Sequence, residues 1–174
     1  MTLRRTGDLE AATRAAVVRV CLDAHDEPDF EHLFDYLPED GLHVLAYERD
    51  ELVGHAVVTA RWLQVGDGPM LRTGYVDAVS VAPGHQGRGV GSAVMRALAA
   101  AVVDYDVACL ETERAGFFAR LGWEQWRGPL AGRSEDGLIP TPDQTGIMIL
   151  RLARTPALDR DAPLSIEAHA TRIW

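Results

Sequence analysis

The segment that most restricts what this chain can fold into is Val79-Ser80-Val81-Ala82-Pro83-Gly84-His85-Gln86-Gly87-Arg88-Gly89-Val90-Gly91. Alternating β-branched residues run into a glycine-rich turn, and the turn opens a helix. Glycines permit backbone conformations closed to other residues and let a ligand come close to the main chain. The first turn of the helix adds unpaired N–H groups and the positive end of the helix dipole. Together these features describe an anion site of the pyrophosphate-binding kind, to which Arg88 adds a charge-assisted contact. Two nucleotide motifs fit poorly. A P-loop requires Gly-Lys followed by Ser or Thr, and no Lys is present in the turn. A Rossmann turn reads G-x-G-x-x-G, but the third position after Gly89 is Ser92.

The remaining elements follow from periodicity. Arg4 to Thr6 reads as a short strand or tail. Asp8 is the expected N-cap of a helix to about Leu22, with Leu9, Ala12, Ala16 and Val20 at helical spacing. Phe30, Leu33, Phe34 and Leu37 predict a second, short helix. His43 to Tyr47 and Leu52 to Trp62 predict an antiparallel hairpin, and Tyr75 to Val81 the next strand. Val90 to Val103 reads as a helix and Val107 to Leu110 as an interior strand. Arg114 to Leu121 reads as a short helix stopped by Gly122. Trp123 to Arg127 and Ile147 to Leu152 complete the strands. The stretch 128–146, with Pro129, Pro140 and Pro142, reads as loop-rich. The tail 153–174 shows no clear period and is long for a structureless end. The expectation is one mixed α/β domain over residues 1–174, with a parallel crossover from Tyr75 to Leu110.

Charge and composition narrow the function. The 174 residues carry 17 Lys and Arg against 26 Asp and Glu, a net charge of −9. That balance disfavours nucleic acid and suits a cationic small substrate. Cys21 and Cys109 form no CxxC, and the six histidines show no HxH or HxxxH metal spacing, so no metal is expected. No apolar run approaches the ~20 residues of a membrane span, and the N-terminus lacks a signal-peptide core. A cytoplasmic protein is the expectation.

Gln86-x-x-Gly89-x-Gly91 resembles the acetyl-CoA motif of the GNAT superfamily of N-acetyltransferases. The hairpin before it and the block Phe117 to Trp123 after it also resemble that family. The resemblance implies a GNAT fold: a mixed central sheet flanked by helices, with acetyl-CoA held at splayed parallel strands. It implies direct acetyl transfer to a primary amine. Val79, Ser80 and Val81 would lie beside the cofactor. The amides of Gln86, Gly87, Arg88, Gly89, Val90 and Gly91 would hold its pyrophosphate, and the Val79 amide would polarise the thioester carbonyl. Asp77 is the candidate base, on a strand face shared with Tyr75 and Val79. An ordinary aspartate, with a pKa of roughly 3.9, is a weak direct base for an ammonium, which favours a water relay.

Leu71 to Val81 is similar to a segment of the aminoglycoside 2'-N-acetyltransferases, whose catalytic carboxylate falls on Asp77. Asp29-Phe30-Glu31-His32, Thr141-Pro142-Asp143 and the final Trp174 match further segments of that subfamily. Asp26, Asp29, Asp77, Asp143 and the Trp174 carboxylate are accordingly the candidate substrate contacts, with the tail 153–174 packed near the substrate site. Three positions depart from the pattern. Phe118, expected beside the cofactor, replaces a Tyr proposed as general acid, while Gln144 and Arg172 replace acidic residues. Fewer carboxylates weaken the case for a polycationic aminoglycoside. The amine could instead be another metabolite or a peptide N-terminus, and the Phe118 change leaves open a non-catalytic acyl-CoA-binding protein. The resemblance leaves room for a homodimer and implies neither nucleic-acid nor membrane partners.

Overall fold

The computed structural model describes residues 1–169 and 173–174. Arg172, singled out above, lies outside the described residues. The chain builds a mixed sheet flanked by helices, and it groups into two compact units. One comprises Met1–Thr59 and Val76–Ala101, the other Ala60–Tyr75 and Val102–Trp174. No described helix is long and apolar enough to cross a membrane.

In the first unit, β1 (Thr2–Arg5) pairs antiparallel with β2 (Leu42–Glu48), and β2 with the first part of β3 (Glu51–Val65). A two-residue turn, Arg49-Asp50, joins β2 to β3, with Arg49 left-handed at φ 55°. Helix α1 spans Ala11–His25, later than the sequence suggests. Asp8 belongs instead to a 3-10 turn, Thr6–Asp8, and Glu10 occupies the N-cap. The shift rotates the apolar stripe onto Val17, Val20 and Cys21, while Ala12 is exposed. A 3-10 turn at Pro28–His32 leads into α2 (Leu33–Tyr36). Leu33 and Leu37 anchor this segment in a core shared with Leu9, Leu45, Leu52, Val57 and Ala78. The second part of β4 (Met70–Val81) and helix α3 (Val90–Ala101) complete the unit. Gly54 of β3 lets α3 approach: a Cβ there would stand 2.8 Å from Val90 Cγ1.

The second unit takes the end of β3 and the start of β4. It adds β5 (Val107–Glu111), α4 (Ala115–Ala119), β6 (Glu124–Gln125), β7 (Leu130–Ser134), β8 (Gly137–Pro140), β9 (Ile147–Arg151) and β10 (Leu164–Glu167). Its strand order is β6-β9-β5-β4-β3-β10-β7-β8, with β4 and β5 parallel as the crossover requires. The stretch expected to be loop holds the β7–β8 hairpin, in register Ala131↔Pro140 to Ser134↔Gly137. The Trp123 to Arg127 strand shrinks to two residues, because Arg127 and Gly128 give their amides to Arg160 O. The described part of the tail packs on the domain. Its strand β10 runs parallel to β7 and antiparallel to β3, filling the gap between them. Arg61, 6% exposed, fastens the end of the chain by donating to Glu167 Oε1 and to the carbonyls of Glu167 and Ile173. Trp174 is buried in the core with Leu63, Leu71, Tyr75, Trp126, Ile149 and Ile166.

The first unit also buries two histidines completely. His43 and His55 lie diagonally across the β2–β3 pair, since Leu45 faces His55 and His43 faces Val57. Burial pushes His43 down to about 4, helped by the nearby Arg14 charge. It pushes His55 down to about 3, helped by His43. Both rings are neutral when folded, and both take up a proton near pH 6.5 when unfolded. The unfolded chain therefore binds more protons between pH 6.5 and 4, so stability is full above this window and falls with pH inside it. By pH 5 the loss is on the order of 2 kcal/mol per ring. Urea midpoints should hold between pH 7 and 8 and drop steeply from 6.5 to 5. A folded His43→Leu/His55→Leu protein should show a much flatter profile; equal slopes would disprove this account.

Candidate active site

The glycine turn is built as its residue types require. A 3-10 turn at Pro83–His85 ends β4, and Gly87 and Gly89 follow at φ 72° and 85°. Only glycine adopts such angles without penalty. A Cβ added at Gly84, Gly87 or Gly89 would meet nothing within 4 Å, so the turn is open at the surface. Gly89 O accepts the first bond of α3 from Ala93, and the amides of the first helical turn have no intrahelical partner. Gln86 ties the turn down by donating from Nε2 to Val81 O at 3.1 Å. Two basic side chains flank it, and both meet one carboxylate. Glu48 lies 2.7 Å from His85 Nε2 and 3.6 Å from Arg88. The residues thus fit a diphosphate group: open backbone, helix N-terminus and Arg88 in one place.

Upstream on β4, Asp77 and Val79 are half-buried, whereas Ala78 and Ser80 are buried. Tyr75 is buried in the core of the second unit, and a backbone irregularity lies between Asp77 and Val79. The irregularity is Ala78, left-handed at φ 51° within a strand. Asp77 Oδ1 accepts the Ala78 N–H at 2.7 Å. Ala78 O accepts from His55 Nδ1 at 3.0 Å and from the Ser80 hydroxyl at 3.2 Å. Val79 O accepts from His25 Nε2 at 3.1 Å. The Ala78 N–H, the Ala78 carbonyl and the Val79 carbonyl are therefore each held by a side chain.

The other candidate residues divide between the units. In the first, Asp26 is the exposed, left-handed C-cap of α1, and Asp29 is exposed in the 3-10 turn that follows. In the second, Asp143 sits exposed in a turn closed by Gln144 N–H to Thr141 O. Trp174 Nε1 donates to Thr141 Oγ1 at 3.1 Å, so the end of the chain and the Thr141-Pro142-Asp143 turn are in contact. Gln144 Nε2 donates to Glu111 Oε1. Phe118 is buried on α4, edge-on to Phe117 and Trp123. Sequence reasoning missed His25, His43 and Glu48 as contributors and set His55 aside. The available signal was the hairpin register, which puts residues 43 and 55 on one face.

A family model described as an acetyltransferase (GNAT) domain matches residues 2–126. An aminoglycoside 2'-N-acetyltransferase of Mycolicibacterium fortuitum is 30% identical over 173 residues, covering 94% of this chain and 85% of that protein. A GNAT family acetyltransferase from Brucella melitensis, solved in complex with acetyl-CoA, has a TM-score of 0.61 at 15% identity over 97% of this chain and 96% of its own. A GCN5-related N-acetyltransferase from Kribbella flavida has a TM-score of 0.58 at 23% identity over 74% of this chain. The match spans about a third of that protein, 34%. The two structures share the fold. The family match runs from β1 through α3 and the block ending at Trp126, taking in the glycine turn and the Ala78 step. With most of its length matched in this way, the chain belongs to the GNAT family and is an acetyltransferase.

Proposed function

We propose that this protein transfers an acetyl group from acetyl-CoA to a primary amine of a cationic, aminoglycoside-like small molecule. The observation that carries the acetyl-CoA half is the open, doubly left-handed turn at Gly87 and Gly89 on the N-terminus of α3. Acetyl-CoA, when bound, supplies an activated thioester. The amides of residues 86–91 and the Arg88 guanidinium bind its diphosphate. The Val79 N–H donates where negative charge develops on the thioester oxygen. Asp77 accepts the proton that the amine must lose, directly or through a water.

The amine half rests on the 30% identity to the Mycolicibacterium fortuitum enzyme and on the acidic chain. Asp26, Asp29, Asp143 and the carboxylate of Trp174 are the further contacts proposed for a cationic substrate. Gln144, bonded to Glu111, favours a substrate with fewer positive charges than the subfamily's. A smaller metabolite amine is therefore the second reading.

Gly89→Asp places bulk and negative charge at the open turn. Acetyl-CoA affinity should fall at least about 100-fold by calorimetry, the cost of an unpaired charge against a diphosphate. Unchanged binding in the folded variant would refute the assignment. Glu48→Gln acts oppositely: it removes the anion that competes for Arg88 and His85. Affinity for inorganic pyrophosphate should rise about 2–5-fold, the scale of a solvent-exposed ion pair. Asp77→Asn keeps an oxygen to accept the Ala78 N–H and removes the charge and basicity. It should lower kcat/KM for the best amine by about 10–1,000-fold while acetyl-CoA binding persists. Coincident pH–rate profiles for the two proteins would move the base elsewhere.

A further inference from the structure

The buried histidines do more than fill space. Ala78 O can only accept, so His55 Nδ1 carries the proton in their 3.0 Å bond. His55 Nε2 is then bare and accepts from His43 Nδ1 at 2.9 Å. His43 Nε2 is bare in turn and accepts the one proton of the Thr6 hydroxyl at 3.1 Å, since Gly41 O, 3.2 Å from that hydroxyl, already accepts the Thr6 N–H. One assignment of protons satisfies the whole row, and it points from Thr6 towards Ala78. The carbonyl at its end belongs to the same peptide group as the Val79 N–H.

A core position needs no such row. Apolar side chains of similar volume stabilise an interior at least as well as a polar network, which must be fully satisfied to break even. This row is fully satisfied, lies on three separate elements (the Thr6–Asp8 turn, β2 and β3), and terminates on one carbonyl. That carbonyl sits at a left-handed alanine, a conformation that persists only when its surroundings hold it. Hydrogen bonds in line polarise one another, by roughly 10–30% per bond. A donor on the C=O of a peptide draws electron density from its N–H and makes that N–H the better donor.

We propose that the row Thr6–His43–His55 positions and polarises the Ala78–Val79 peptide, so that the Val79 N–H meets the thioester oxygen aimed and strengthened. His55 is a positioning residue; it acts through the peptide. The inference rests on the reading of Val79 as the oxyanion donor. His25 holds the other side of the same residue, at Val79 O.

Two variants separate position from packing. His55→Asn retains an N–H where Nδ1 stands. His55→Gln retains a polar group towards His43 but withdraws the donor from Ala78 O. Both open a small void and both should lower Tm. His55→Gln should lower kcat about 10–100-fold, somewhat less than deleting an oxyanion donor outright. His55→Asn keeps the donor on Ala78 O but cuts the link to His43, so it should lose only about 3–5-fold, and both should keep acetyl-CoA Kd and amine KM within about threefold. Wild-type kcat in folded His55→Gln, or equal losses in the two variants, would overturn the proposal. Long-range proton–nitrogen NMR of the wild type needs no variant to fold. It should show His43 and His55 as neutral Nδ1–H tautomers, and an Nε2–H tautomer at His55 would equally overturn it. Failure of the wild type to bind acetyl-CoA is a different result: it would overturn the reading of the glycine turn, and this proposal with it.

Discussion

A left-handed alanine inside a strand costs about 1–2 kcal/mol relative to extended backbone. Ala78 is held in that conformation by Asp77 on its N–H, by His55 and Ser80 on its carbonyl, and by His25 on the Val79 carbonyl. The rest of the first unit can be traced to supplying those side chains. Helix α1 runs three residues beyond the expected Leu22, which brings His25 to Val79. The two-residue Arg49-Asp50 turn fixes the register that sets His43 diagonal to His55. The Thr6–Asp8 turn, which delays the start of α1, places the Thr6 hydroxyl at the end of the row. Features that look like irregularities of the α1 boundary are thus conditions for one strained peptide.

How legible this was depends on how local the determining physics is. The glycine turn could be read from residues 79–91 because φ above zero, open backbone and a helix start are all encoded within a few positions. The β2–β3 hairpin was legible through its turn and alternation. The Ala78 step was not: alanine carries no left-handed signature, and the conformation arises from partners up to 54 residues away. The β7–β8 hairpin was hidden for another reason. Its strands are five and four residues long, the second starts on glycine and ends on proline, and the first gains its order from β10, which itself has no distinguishing pattern. Asp77, Asp29 and Asp143 could be named from sequence, but their surroundings could not, since burial and partners are tertiary properties.

The second unit depends on a different long-range contact. Arg61 is a buried guanidinium whose charge is met by Glu167 and whose Nη2 donates to the carbonyls of Glu167 and Ile173, with the Tyr75 ring 5.1 Å beneath it. Buried cations are tolerated only when paired and hydrogen-bonded. Here the partners come from the tail, which explains why a segment without periodicity packs on the domain. It also places Trp174 against Thr141, and so joins two segments that sequence comparison could only name separately.

The pairing of β3 with β10 has a consequence for synthesis. Arg61 and Glu167 are 106 residues apart. At about 5–20 residues per second, β10 leaves the ribosome roughly 5–20 s after β3. Through that interval the edge of β3 that β10 will occupy is open, with Leu63 and Val65 uncovered beside it. Every strand of the first unit, by contrast, is complete once Val81 has emerged. The nascent chain therefore passes through a stage in which the glycine turn and the histidine row can assemble while the edge of β3 still waits for its last strand.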